Sequence, residues 1–339
     1  MEKKEIVWID WAKFICMLLV YWDHVMLYGY NSAPFIIPFR PFFVNAFFFI
    51  SGYLIFLKQL SPNYIKLDTR AFLKSGFCEH GMIMNIIFKI AIPTIIFAAF
   101  DFIPACLVKG EEISIRAFIF DTLIEGGNWF TCALTVSELI LFVLLMTRIK
   151  NILFYVFIGL MLAIFGVFLQ KINYTILGNE HLPWFYKSGI IACAFLSLGG
   201  FYRVYEMIFD KFKGLFPVIF LLIAINVDLD CEPMSTWAGI NLRGFIISVI
   251  SIFALIDLCK QLPKFKFIQY ISRHTIGFYF LSAAIPFLCI RICDLYIPLG
   301  PISFLIQFTL SFALAWLIVF LLEKYLPFIF DLRVLKSKK

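Results

Sequence analysis

A chain of 339 residues that is 62% hydrophobic and only 15% charged cannot cover a water-facing surface with polar groups, which excludes an ordinary soluble domain. Its formal charge of +7 sits in short Lys and Arg clusters between apolar runs, which suits topology signals and anionic lipid headgroups and argues against nucleic acid as a partner. The nine Cys are scattered, many inside apolar runs (Cys16, Cys132, Cys193, Cys289), without Cys-x-x-Cys or Cys/His spacing, so neither a metal nor a disulfide is expected.

A membrane span needs roughly 20 mainly apolar residues. Taken in chain order, such runs fall near 6–28, 41–59, 82–104, 129–147, 151–170, 188–206, 214–229, 242–259, 270–293 and 302–323. The first follows Lys3 and Lys4 but is interrupted by Asp10, Lys13, Asp23 and His24 and lacks a small-residue cleavage site, so it reads as a retained helix, not a signal peptide. The seventh is short. The expected fold is all-α: one polytopic domain over 1–339 with about ten transmembrane helices. Alternate connecting segments carry the cations: Lys3 and Lys4; Lys58, Lys66, Arg70 and Lys74; Arg148 and Lys150; Arg203, Lys211 and Lys213; Lys260, Lys264, Lys266 and Arg273; and the C-terminal cluster from Lys324 to Lys339. The segments between them are poorer in cations and hold Glu111, Glu112, Asp121, Glu125, Asp228, Asp230 and Glu232. Basic segments mark the cytoplasmic side, so both termini are placed there. Neither paired broken helices nor an inverted repeat is read from the sequence.

Ionisable residues inside spans are costly and tend to face one another or a cavity. In the first span Asp10, Lys13, Met17, Val20 and His24 recur at spacings of three and four and share a stripe. Asp10 and Lys13 can pair at i, i+3. Lys13 and His24 are separated by roughly 16 Å along the axis. Asp23 faces another way. Taken singly, His24 reads as an interfacial histidine and Lys13 as a snorkelling lysine; sharing a stripe with Asp10, they read as a lined pathway. Glu138, in the fourth span, is either glue between helices or part of a site. Lys89, early in the third, either snorkels or contacts an anion.

These residues resemble a known family. Asp10-Trp-Ala-Lys13, ten further residues and His24 are similar to the first-helix signature of the acyltransferase-3 family, which usually has Arg, ten residues, then His. Phe47-Phe-Phe-Ile-Ser51-Gly52-Tyr-Leu resembles its second-helix motif, and Lys89-Ile-Ala-Ile-Pro93 its entry to the third helix. Asn128-Trp129-Phe130 with Leu134, and Ser272-Arg-His-Thr275-Ile-Gly-Phe-Tyr279, resemble two later segments in the same order. Three departures stand out. Lys13 replaces Arg and loses the planar fork. The Arg that often precedes the third-helix motif is missing around Asn85. Ser282 stands where the family often has His.

The resemblance implies a multi-pass acyltransferase of the bacterial plasma membrane. It would move an acetyl group from cytoplasmic acetyl-CoA to a hydroxyl of a surface polysaccharide or lipid-linked sugar. His24 would be the general base, with Lys13 and Asp10 beside it. Lys13, Lys89 and Lys74 would meet the donor phosphates, and Ser51, Trp129, Glu138 and Tyr279 would line the cavity. Ser51 either donates a hydrogen bond or packs beside Gly52, and Trp129 either lines the cavity or anchors the interface. The implied partners are the glycan or lipid-linked acceptor, the bilayer, and a homo-oligomer or a polysaccharide-synthesis complex. Two rivals are a flippase for a polysaccharide intermediate and an inactive scaffold of a surface-polymer complex.

Overall fold

The computed structural model describes residues 6–29, 42–57, 81–109, 112–176, 183–226, 242–298 and 300–335. Among them every regular element is helical. The chain begins with α1 (Val7–Gly29) and α2 (Phe43–Leu57). Helix α3 starts at Met82–Ile86, passes through a π-helical turn at Ile87–Ala91 and continues over Ile92–Lys109. Next come α4 (Ile115–Ile119), extended by a second π-helical turn over Phe120–Glu125, then α5 (Trp129–Leu145), α6 (Ile152–Ile176) and α7 (Tyr186–Phe209). The remaining helices are α8 (Leu215–Asn226), α9 (Leu242–Cys259), α10 (Lys266–Arg273), α11 (Thr275–Leu281), α12 (Ala284–Cys293) and α13 (Pro301–Tyr325). Two short 3-10 turns, Pro327–Ile329 and Leu332–Leu335, follow α13.

Among the described residues, four helices are long and apolar enough to cross a membrane: Met82–Pro104, Ile152–Leu169, Pro183–Phe212 and Pro301–Tyr325. The number rises to six if each of two bent pairs is one span. Helix α1 is as long as these, but Asp10, Lys13, Asp23 and His24 dilute its apolar character. The apolar helices Phe43–Leu57 and Gly244–Cys259 are shorter.

Two differences from the sequence expectation have local causes. Residues 270–293 do not form one straight span: Thr275–Leu281 and Ala284–Cys293 meet at 48°. Pro286 has no N–H for the carbonyl of Ser282, four residues back, and its ring clashes there. The Ser282 hydroxyl instead donates to the Tyr279 carbonyl at 2.8 Å, and the chain restarts as α12 with Pro286 in its first turn. The segment before the fourth span, expected to be a loop, is helical over Ile115–Ile124 and meets α5 at 48°. Gly126 (φ 88°) and Gly127 (φ 65°) make that bend in a backbone region that other residues seldom adopt. Bent helices are therefore present, where the sequence reading found none.

The contacts divide the chain into two compact units. The first holds the described residues within Met1–Phe47, Phe212–Met234 and Asn241–Leu326. Its centre is an aromatic seam between α1 and α13: Trp22 meets Phe304 edge-on at 4.5 Å between ring centroids, and Tyr21 meets Phe312 at 5.3 Å. The buried Tyr21 hydroxyl donates to the Phe278 carbonyl of α11 at 2.8 Å, so its polar end is not stranded in the seam. The second unit holds the described residues within Phe48–Lys211 and Pro327–Lys339. Here α2 and α7 meet backbone to backbone. A Cβ on Gly52 would collide with the Leu196 carbonyl, and one on Gly199 with the Phe49 carbonyl, so the crossing depends on both residues being glycine.

Candidate functional site

His24 lies near the end of α1 in the first unit. Its ring Nδ1 is 2.9 Å from the carbonyl oxygen of Val20, one turn back. A carbonyl can only accept, so Nδ1 carries the proton and Nε2 holds the lone pair in the neutral ring. The ring stacks on Tyr28, at i+4, with centroids 5.8 Å apart, and Asp23 is its charged neighbour. Tyr279 of α11, buried at 4% exposure, is within electrostatic reach of both Asp23 and Tyr28. Tyr28 also meets Phe287 of α12 edge-on at 5.8 Å. His24, Asp23 and Tyr28 therefore sit against the broken pair α11–α12. Non-helical backbone at membrane depth is tolerated where it is buried in protein or lines a cavity.

The other histidine described in this unit is differently placed. His274, at the junction of α10 and α11, has Nδ1 2.8 Å from the Tyr270 carbonyl and Nε2 2.9 Å from Glu323 Oε1. Both nitrogens of His274 face acceptors.

Further along α1, Asp10 and Lys13 are half-buried, with Asp10 the charged neighbour of Lys13. Between them and His24 the stripe is closed by Met17 and Val20, both buried. The polar groups are thus two clusters on one helix, joined by an apolar stretch.

In the second unit the structure brings Ser51 and Glu138 together. The Ser51 hydroxyl donates to Glu138 Oε1, linking α2 to α5. Glu138 is 8% exposed, so its carboxyl has a hydroxyl partner away from bulk solvent. Ser51 is thus a hydrogen-bond donor, and the close approach belongs to its neighbour Gly52. Trp129 opens α5 just after its cap, where the Asn128 side chain accepts from the Thr131 N–H at 3.2 Å. It is half-buried and edge-on to Phe130 at 6.2 Å.

Lys89 sits in the π-helical turn of α3. Pro93 accounts for that turn: it cannot donate to the Lys89 carbonyl four residues back, and the ladder widens to i−5, with the Ile92 N–H reaching the Ile87 carbonyl. The Lys89 ammonium lies 4.0 Å from Asp331 Oδ2, in the segment after α13. Arg333 grips the same carboxylate with both arms of its fork, Nε to Oδ1 at 2.8 Å and a terminal nitrogen to Oδ2 at 2.7 Å. It also donates to Asn85 Oδ1 at 3.1 Å and lies over the Phe88 ring at 5.9 Å. Burial pushes the Asp331 carboxyl up, but the hydrogen bonds from Arg333 and the charges of Arg333 and Lys89 outweigh it and hold it below the usual carboxylate range. Lys74 lies outside the described residues.

Sequence reasoning set Asp23 aside and did not reach Tyr28, Asp331 or Arg333. Tyr28 had a signal, the i+4 spacing from His24. Asp331 and Arg333 had none, because Asn85 and Arg333 are 248 residues apart.

These features define a helical membrane protein with polar residues placed inside apolar helices and a histidine held in one tautomer among them. The acyltransferase domain family (Acyl_transf_3) matches residues 6–323, and the chain belongs to that family. No curated protein and no solved structure gives a significant match.

Proposed function

We propose that this acyltransferase moves an acetyl group from cytoplasmic acetyl-CoA to a hydroxyl of a surface polysaccharide or lipid-linked sugar, in a bacterial plasma membrane, with His24 as general base. The observation that carries the reading is the His24 hydrogen bond to Val20, which leaves Nε2 as the basic nitrogen. The acceptor hydroxyl loses its proton to Nε2 as its oxygen attacks the thioester carbonyl. The new ester forms as the carbon–sulfur bond breaks, and the proton ends on the coenzyme A thiol. Asp23 is placed to stabilise the imidazolium formed on the way.

The sidedness this requires is supported by contacts within each unit. Trp11 Nε1 donates to the Pro263 carbonyl at 2.7 Å, and Arg333 reaches Asn85 at 3.1 Å; the charge pattern assigns both pairs to the cytoplasmic face. Gln307 donates to Asp294 at 3.0 Å, and Trp184 to the Leu123 carbonyl at 2.9 Å, pairing segments of the opposite face. Lys13, Lys74 and Lys89 are the cations proposed to meet the donor phosphates. Ser51, Glu138, Trp129 and Tyr279 are the proposed cavity residues.

One observation favours the rival reading of a polysaccharide-intermediate flippase. The bent pair α11–α12 is the kind of discontinuous helix that transporters use at their binding sites. The discriminating experiment compares O-acetyl content of surface glycans, as base-released acetate or by NMR, in a deletion strain complemented with wild type or His24→Ala. Acetyl lost on deletion and restored only by wild type supports the acyltransferase. Unchanged acetyl with reduced polymer export supports the flippase.

A further inference from the structure

We propose that Asp331 and Arg333 are positioning residues of the donor site and act through Lys89, so that the segment after α13 is a working part of the protein. The inference rests on the donor reading above. Three observations carry it.

The first is geometry. The two oxygens of Asp331 bridge Lys89 of the α3 turn and Arg333 of the C-terminal segment: Oδ1 and Oδ2 accept from Arg333, and Oδ2 also faces Lys89 at 4.0 Å. Without the carboxylate, the two positive side chains repel and splay apart. With it, both converge and the three groups keep one net positive charge. That suits a phosphate arriving from the cytoplasm better than a neutralised pair would.

The second is burial. Side-chain exposure is 9% for Arg333, 22% for Asp331 and 51% for Lys89. The ordered fork lies inside and the lysine head outside, so the pair acts as a mount and Lys89 as the part that meets a ligand. A bidentate Arg–carboxylate pair fixes orientation as well as charge.

The third is the backbone. Lys89 lies in a π-helical turn, a feature common at functional sites, and the C-terminal segment packs directly along it. Phe330 meets Phe97 at 6.1 Å, and Arg333 covers Phe88 on the same helix. The turn has one cation of its own, and the fold adds a second from the far end of the chain.

The test is coenzyme A binding to the purified full chain in lipid nanodiscs, by calorimetry, for wild type, Asp331→Asn, Asp331→Glu, Arg333→Lys, Lys89→Ala and the Asp331→Asn/Lys89→Ala double variant. Asp331→Asn is expected to weaken binding about tenfold. Asp331→Glu should recover most of the loss. The double variant should bind no worse than Lys89→Ala, because the carboxylate works through that lysine. Wild-type affinity in Asp331→Asn, or losses that multiply in the double variant, would overturn the inference while leaving the donor reading intact. If Asp331→Asn does not fold, Arg333→Lys serves in its place: weakened binding supports the inference and wild-type binding overturns it. A wild type that does not bind coenzyme A overturns the donor reading and this inference with it.

Discussion

The Nδ1 atom of His24 is 2.9 Å from the carbonyl oxygen of Val20, and that contact selects which nitrogen is basic. His24→Ala is therefore expected to lower acetyl transfer by about 10²- to 10⁴-fold, the usual contribution of a general base, with normal protein in the membrane fraction. Acetate released from surface glycans, read beside an immunoblot of membranes, checks both halves. Activity retained at normal protein level removes His24 from the chemistry.

Lys13 shares its helix with Asp10, and its charge is what the proposed donor role needs. Lys13→Arg should keep acetyl transfer and Lys13→Ala should lose it, as measured in complemented deletion cells. Should Lys13→Ala match wild type, the ammonium has no part in holding the donor.

The Ser51–Glu138 hydrogen bond joins α2 to α5 in the second unit. Interhelical polar pairs of this kind contribute about 0.6–2 kcal/mol. A double-mutant cycle with Ser51→Ala and Glu138→Ala, read by unfolding in mixed detergent, should give a coupling energy of that order. Additive effects of the two substitutions would show that the bond contributes nothing to stability.

Asp331 titrates lower in the folded chain than in the unfolded one. Its contribution to stability is complete above the ordinary carboxylate value of about 3.9 and is lost as the pH falls through the lower folded value. Asp331→Asn should melt below wild type at pH 7, and the gap should close as both are acidified below about pH 4. An equal gap at pH 7 and pH 3 means the ion pair is not its source.

Much of the helical pattern was legible because apolar runs carry local information. What escaped was set by proline, glycine and distance. Pro286 was visible in the sequence, yet a hydropathy run over 270–293 averages across the break it makes. Pro93 was read as part of a motif, but its effect falls four residues back, on the turn that carries Lys89. Gly126 and Gly127 turned an expected loop end into a bend between two helices. The pairing of Ser51 with Glu138 needed the crossing of α2 over its neighbours, which no periodicity encodes. Arg333 could not be found from the third-helix motif at all. There the sequence shows Asn85 and no arginine, and the guanidinium arrives from residues beyond the last long helix.

At Gly52 and Gly199 the main chain of α2 rests on the main chain of α7. Side chains between helices act as springs, since each rotamer change lets the gap breathe. Here there is no spring, and covalent geometry alone sets the spacing. Ser51 is bonded directly to that fixed point, so its hydroxyl inherits a position with little thermal play. The same contact makes the protein brittle at two places: a single added methyl group at either glycine would be felt as a displacement of the whole helix that carries Ser51.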